Sequence, residues 1–344
     1  MRTNIYNLDY QELKDLLQDW NEPSYRAQQI WQGLYQNYWN KSVDFSTIPL
    51  PLREEIDNNF KLSGLSSEKE LHSADGFTRK TLYRLEDNSA IETVLMGYED
   101  RNTVCISSQV GCGMGCNICA TGNMGFIRNL SRGEIVEQVI KTAADLAQDG
   151  RSLTNVVFMG MGEPFHNYNQ VMEAVRILND PEGFGMGARR FTISTVGLVP
   201  GINRFTEENS QINLAISLHA ADDELRSSIV PTNQKYPLSD LMEACRNYIQ
   251  NTNRRLTFEW ALIEGVNDTE EQAQKLSSLI DGMLAHVNLI QLNPVSHYSG
   301  KPAGKKNALN FQKILTNSGI SCTIRLRRGI DIRAGCGQLA SESI

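Results

Sequence analysis

No stretch of this 344-residue chain comes near the ~20 consecutive apolar residues that a membrane-crossing helix needs. The opening Met-Arg-Thr-Asn-Ile-Tyr-Asn-Leu-Asp lacks the apolar segment of a secretory signal. A cytoplasmic address is therefore expected, with thiols kept reduced. Positive charge is in deficit: 33 Lys and Arg against 40 Asp and Glu leave a net charge of -7. That balance excludes a chain that coats nucleic acid indiscriminately through a basic surface, though not one that grips RNA through a local patch. There is no internal repeat and no low-complexity segment. Cysteine is plentiful by contrast, at seven residues, and in a reducing compartment it suits metal or redox chemistry better than a disulfide framework.

The length allows one large domain and a smaller one. Residues 1–64 read as a small helical module: Leu13, Leu16, Leu17 and Trp20 mark one apolar face, Ile30, Trp31, Leu34 and Tyr35 another, and Pro23, Pro49 and Pro51 punctuate them. Residues 65–100 change to a β segment, with strands at Thr81–Leu85 and Ala90–Met96 and an Asp75-Gly76 turn. From residue 101 to 344 strands and helices alternate.

The predicted strands of that core are Thr103–Ser107, Asn155–Met159, Arg190–Ser194, Ile212–Ser217, Leu256–Ile263 and Val287–Gln291. Helices fall at 168–179, 238–251, 268–283 and 306–317, and Ser131-Arg-Gly-Glu134 is a capping box opening another. The fold class is α/β with parallel pairing, as either a barrel or an open doubly wound sheet. Polar residues recur just after the strands: the cysteine loop, Gly160–Pro164, Ser194, Ser217-Leu218-His219 and Asn293-Pro294. In parallel α/β architectures such ends gather on one face, where active sites lie.

The richest motif is Val-Gly-Cys112-Gly-Met-Gly-Cys116-Asn-Ile-Cys119-Ala-Thr-Gly, a C-x3-C-x2-C spacing. Three thiolates can ligate three irons of a [4Fe-4S] cube and leave the fourth open to a substrate. Zinc is the rival, and it needs four ligands that other cysteines or the five histidines could complete. Gly111, Gly113, Gly115 and Gly122 supply backbone able to wrap closely around a bulky cube. Among the remaining cysteines, Cys336 stands between Gly335 and Gly337 in an open, mobile setting. Cys105 lies within a strand, and Cys245 and Cys322 read as packing.

The triad loop after the first strand of a β/α domain resembles the radical S-adenosylmethionine superfamily. Cys105–Cys112, Phe158–Pro164, Ser217–His219, Val287–Pro294 and Asp331–Leu339 together are similar to the RlmN-type dual-specificity RNA adenine-C2 methyltransferases. The resemblance spans nearly the whole chain. It implies a partial (β/α)6 TIM-like radical SAM barrel with an N-terminal helical domain and a linking β segment. It also implies one [4Fe-4S] cluster on Cys112, Cys116 and Cys119, and two S-adenosylmethionine molecules per turnover. Gly162, Glu163, Ser194, Ser217, Leu218, His219 and Asn293 match cofactor-binding positions. Adenine carbon 2 is too electron-poor to attack a sulfonium methyl group, so a radical route is required. By the implied mechanism Cys336 is first methylated and its methyl-derived radical adds to the base; Cys105 then attacks the Cys336 sulfur, releasing product and leaving a disulfide. Glu92 matches a proton acceptor for the base hydrogen, although solvent-facing strand alternation also accounts for it.

The implied substrates are adenosine 2503 of 23S rRNA and adenosine 37 of tRNA. The implied partners are an electron donor such as flavodoxin or ferredoxin and no membrane, for a chain acting as a monomer. Arg189 and Arg190, Arg254 and Arg255, Lys301, Lys305 and Lys306, and Arg325, Arg327, Arg328 and Arg333 form clusters suited to a phosphate-lined partner. Three positions, in two motifs, depart from the family pattern. Ile118 replaces an aromatic before the last cluster cysteine, and Arg333 and Gly335 alter the segment before Cys336. Carbon-8 methylation by the related Cfr-type enzymes is the nearest alternative, since it uses the same five cysteines. A non-catalytic, metal-stabilised RNA-binding protein is the alternative from another class.

Overall fold

A computed structural model describes residues 2–340, so the outermost ends of the 1–64 and 101–344 spans lie outside the described residues. The N-terminal helices are α1 (Tyr10–Asp19), α2 (Tyr25–Tyr35) and α3 (Leu50–Asn59). Asp9 and Glu12 form the capping box that starts α1. Leu13 and Leu17 of α1 pack with Ile30, Trp31, Leu34 and Tyr35 of α2, all at most 2% exposed. This apolar cluster is continuous with that of the larger domain.

The strands of the remaining chain are β1 (Ser66–His72), β2 (Thr78–Arg84), β3 (Ala90–Gly97), β4 (Asn102–Cys105), β5 (Gln109–Cys112), β6 (Gly125–Asn129), β7 (Asn155–Phe158), β8 (Phe191–Thr195), β9 (Asn213–Ser217), β10 (Leu256–Leu262), β11 (Ala285–Gln291) and β12 (Ser321–Ile324). Ten of them make one sheet in the order β12-β11-β10-β9-β8-β7-β4-β3-β2-β1. From β4 to β12 every pairing is parallel. Buried runs such as Leu214-Ala215-Ile216 reflect strands covered on both faces. The helices between them are α4 (Arg132–Gln148), α5 (Tyr168–Asn179), α6 (Val199–Glu207), α7 (Asp223–Ile229), α8 (Leu238–Thr252), α9 (Glu270–Leu279) and α10 (Lys305–Asn317). The sheet has two free edges, β12 and β1, as a partial barrel must.

The β segment is more than a connector. Strand β3 runs back antiparallel against β4, pairing Val94 with Cys105, so β1 to β3 extend the barrel sheet itself. A short turn at residues 98–101 brings β3 back along the open edge of β4, while its other edge pairs with β2.

The helical module is fastened to the barrel through Glu137 of α4, which is 1% exposed. Its carboxylate accepts from Asn4 Nδ2 (2.8 Å), Ser63 Oγ (2.7 Å) and the backbone N–H groups of Gly64 (2.9 Å) and Leu65 (3.1 Å). Four donors satisfy a charge that would otherwise be costly to bury. No helix of the described residues is long and apolar enough to cross a membrane.

Candidate active site

The cysteine loop is the connection of a small antiparallel hairpin, β5 with β6. Cys112 ends β5, and Cys116 and Cys119 follow in the turn. A Cβ on Gly122 would lie 2.9 Å from the Cys116 nitrogen, so only glycine lets the chain fold back this tightly on the triad. All three cysteines line one cavity. Among the described residues no three His, Cys, Asp or Glu side chains converge as ligands for a single ion. Three thiols spread around a common space suit a cube better than one zinc ion. Burial pushes the Cys112 thiol up to about 12, with Glu163 and Cys119 adding to it, so the thiolates need a cationic guest to persist.

The same cavity collects the ends of successive strands: Gly162 and Glu163 after β7, Ser194 to Val196 at and just after the end of β8, Ser217 and His219 at and after β9, and Asn293 after β11. Leu218 differs. It is fully buried in the core and adds nothing to the cavity lining, because strand alternation turns it away between Ser217 and His219. Ile118 lines the cavity as apolar cover, packed with Ile229, Val230, Ala261 and Leu292.

Glu163 is 2% exposed. Its two carboxylate oxygens accept from Phe165 N (3.0 Å) and Val196 N (2.9 Å), and its own N–H donates to Gln109 Oε1 (2.8 Å). Burial still pushes its pKa up to about 7, the setting of a carboxylate that awaits a cationic partner such as an ammonium. His219 sits at φ 62°, where its carbonyl accepts from Asn267 Nδ2 (2.7 Å). Its Nδ1 accepts from Ala261 N–H (3.0 Å), which leaves the proton on Nε2. Burial and then Arg226 hold its pKa down to about 3, so the ring is a neutral donor. Ser194 Oγ and Ser217 Oγ lie 3.4 Å apart.

Cys336 lines this cavity and also a second, smaller one behind it, and there it meets Cys105. The strand cysteine and the loop cysteine, 231 positions apart in sequence (336 − 105), thus face one space. Burial pushes Cys105 up to about 12, and the Cys336 charge adds to it. Cys336 retains accessible surface that opens into these cavities, while the surrounding protein raises its pKa.

The loop that carries Cys336 is pinned rather than free. Asn293 Nδ2 donates to the Cys336 carbonyl (3.1 Å), Ala120 N to the Gly337 carbonyl (2.7 Å), and Thr121 Oγ1 to the Leu339 carbonyl. A Cβ on Gly335 would fall 2.5 Å from Asn293 Nδ2. The glycines flanking Cys336 therefore permit close approach to the cysteine loop and to Asn293.

Glu92 lies on β3 outside both of these cavities, and it is 5% exposed, so solvent-facing alternation does not describe it. It pairs with Lys80 Nζ at 2.8 Å and accepts from Ala340 N–H at 2.9 Å. Together with Lys80, Arg333 and Gln338 it lines a separate groove beside the Cys336 loop. Arg333 adopts φ 51°, and its carbonyl accepts from Lys80 Nζ (3.2 Å).

The basic clusters divide. Arg189, Arg254, Arg255 and Arg325 meet Arg101 in a wide cavity at the opposite mouth of the barrel, whereas Lys301, Lys305 and Lys306 are exposed elsewhere. Two residues without a sequence motif also reach the site. Glu259 of β10, 5% exposed, lines the cluster-side cavity, and Arg325, just after β12, lines the sulfur cavity. A lone acidic residue interrupting the apolar run Leu256–Ile263 was the one available signal for Glu259.

A partial parallel barrel whose strand ends present three cysteines, a buried carboxylate and a thiol-bearing loop defines a radical S-adenosylmethionine enzyme. The model of the "Radical SAM superfamily" matches residues 106–276, and that of the "Ribosomal RNA large subunit methyltransferase N-terminal domain" matches residues 3–62. A protein of Chloroflexus aurantiacus named "Probable dual-specificity RNA methyltransferase RlmN" is 48% identical over 98% of this chain and 93% of its own. The "Ribosomal RNA large subunit methyltransferase N" of Nitrosopumilus maritimus is 46% identical over 99% of both chains. The crystal structure of a radical SAM methyltransferase from Sphaerobacter thermophilus is 47% identical and superposes with a TM-score of 0.97, covering 99% of this chain and 100% of that one. The chain belongs to the RlmN family of radical SAM RNA methyltransferases. It is an enzyme, and the reading as a non-catalytic RNA-binding module is set aside.

Proposed function

We propose that this enzyme methylates carbon 2 of an adenosine in 23S rRNA and in tRNA, with Cys336 as the methyl carrier. The observation that carries this reading is the cavity shared by Cys105 and Cys336, which adjoins the one lined by Cys112, Cys116 and Cys119. Those three thiols would hold a [4Fe-4S] cluster. Glu163 would receive the ammonium of S-adenosylmethionine, with Gly162, Ser194, Ser217, the backbone of Leu218, His219 and Asn293 around the rest of it. Cluster and S-adenosylmethionine together supply a methyl group and, after reductive cleavage, a hydrogen-abstracting radical.

The remaining work falls to this chain's own groups. Cys336 accepts the methyl group and carries it to the base. Cys105 faces Cys336 across the small cavity; its thiolate attacks the Cys336 sulfur, the sulfur–carbon bond to the base breaks with its pair on carbon, that carbon takes up a proton to give the methylated product, and a disulfide is left. Glu92, paired with Lys80 Nζ at 2.8 Å, receives the proton from the base. The neutral Nε2–H of His219 and the serine hydroxyls orient the cofactor without adding charge. On this reading the enzyme works in the cytoplasm, as a monomer fed by a flavodoxin or ferredoxin.

Mass-spectrometric mapping of the methyl position in RNA, from a deletion strain complemented with this gene, tests the reading. It expects 2-methyladenosine; 8-methyladenosine in its place would move the enzyme to Cfr-type chemistry.

A further inference from the structure

A sulfur acts as a nucleophile through its thiolate, and the surrounding protein opposes that form both at Cys105, which is buried, and at Cys336, which keeps exposed surface. A thiol so placed and with this task needs a cation nearby. Among the described residues the cavity shared by the two sulfurs is lined by no histidine and no lysine, so a general base of the usual kind is missing. Three arginines line it instead: Arg325, Arg327 and Arg328.

Two of the three are turned to other work. Arg327 Nε donates to Asn293 Oδ1 at 3.3 Å. Arg328 lies 3.9 Å from the Asp75 carboxylate and over the rings of Phe77 and Tyr98, at 5.0 and 4.6 Å. Arg325 is held from behind. Its backbone N–H donates to Leu289 O at 2.9 Å, and its Nη1 lies 3.8 Å from Glu259 Oε2, while Glu259 Oε1 accepts from Asn288 Nδ2 at 2.9 Å. Glu259 Oε2 is buried with no hydrogen-bond partner. Glu259 therefore anchors the guanidinium by charge rather than by a close hydrogen bond, and Tyr98 also hydrogen-bonds to it, while the group still lines the cavity shared by the two sulfurs.

We propose that Arg325 is the positioning residue for the thiol chemistry, its fixed positive charge holding Cys336 as a thiolate when that sulfur acts as nucleophile. The proposal rests on Cys336 being the methyl acceptor. In that step the thiol proton leaves to solvent. The thiolate electron pair forms the new sulfur–carbon bond, and the old methyl–sulfonium bond breaks with its pair on the departing thioether. Arginine suits the role because its guanidinium stays charged and its planar fork can face two anions at once. The Arg325 charge favours the thiolate of both sulfurs, and at Cys336 it offsets the Glu259 carboxylate and Cys119, which oppose that form.

The test is alkylation of Cys336 by iodoacetamide in unmethylated, cluster-reconstituted, reduced enzyme, read by mass spectrometry of its peptide across pH. Arg325→Gln is expected to slow the reaction about tenfold or more at neutral pH and to move its pH midpoint upward. Arg325→Lys restores most of the rate, and Arg328→Gln stays within about twofold of the parent. A Gln variant that alkylates at the parent rate with the same midpoint overturns the proposal. Where Arg325→Gln also lowers the melting temperature, a folded Lys variant as slow as the Gln variant overturns it equally. Absence of a methyl group on parent Cys336 after turnover would sink the methyl-acceptor reading alone, leaving the alkylation result intact.

Discussion

Asn293 donates from Nδ2 to the carbonyl oxygen of Cys336 at 3.1 Å, fixing the thiol loop to the end of a barrel strand. Asn293→Asp places an acceptor against that carbonyl and costs the loop about 1–3 kcal/mol. Methyl transfer is expected to fall about ten- to a hundredfold, while the iron-sulfur absorption of the reconstituted protein persists. Loss of the cluster spectrum in this variant would show that Asn293 supports the metal site instead.

The shared cavity of Cys105 and Cys336 assigns the two sulfurs different failures. Cys336→Ala should abolish methylation with no adduct. Cys105→Ala should accumulate a covalent protein–RNA species that survives denaturing electrophoresis and disappears on nuclease digestion. An absence of adduct in active Cys105→Ala protein removes Cys105 from its resolving role.

His219 provides a pH signature. Its folded pKa, about 3, lies below the unfolded value near 6.5, so its neutral form stabilises the fold fully above pH 6.5. That contribution is lost as pH falls toward 3, and it amounts to about 2 kcal/mol between pH 7 and pH 5. Thermal melts across this window should show the loss in the parent and a flatter profile in His219→Asn. Parallel profiles would contradict a neutral buried ring.

Glu137 predicts a separate weakness at the junction with the helical module. Glu137→Ala strands the N–H groups of Gly64 and Leu65 together with Asn4 and Ser63. A loss of about 2–4 kcal/mol is expected, with proteolysis favouring the segment around residues 60–66. Glu137→Gln keeps part of the network and should fall between the two.

The parallel strands were legible because burial on both faces writes continuous apolar runs, and Ser131 with Glu134 announced α4 directly. The polar strand ends also predicted most of the cavity lining, with Met161, Pro164, Leu218 and Pro294 turned away from it. The β5–β6 hairpin was hidden, since a glycine- and cysteine-rich loop shows no alternation. Fusion of β1 to β3 with the barrel sheet depends on which edge is open, a property of the assembled sheet. The approach of Glu259 and Arg325 to the sulfurs has the same origin: residues at 259, 325 and 336 meet only after β10, β11 and β12 align.

The bond from Ala120 N–H to the Gly337 carbonyl ties the cysteine loop directly to the segment that carries Cys336. On the proposed reading, a guest held by Cys112, Cys116 and Cys119 would therefore also steady the methyl carrier, and the two would be lost together.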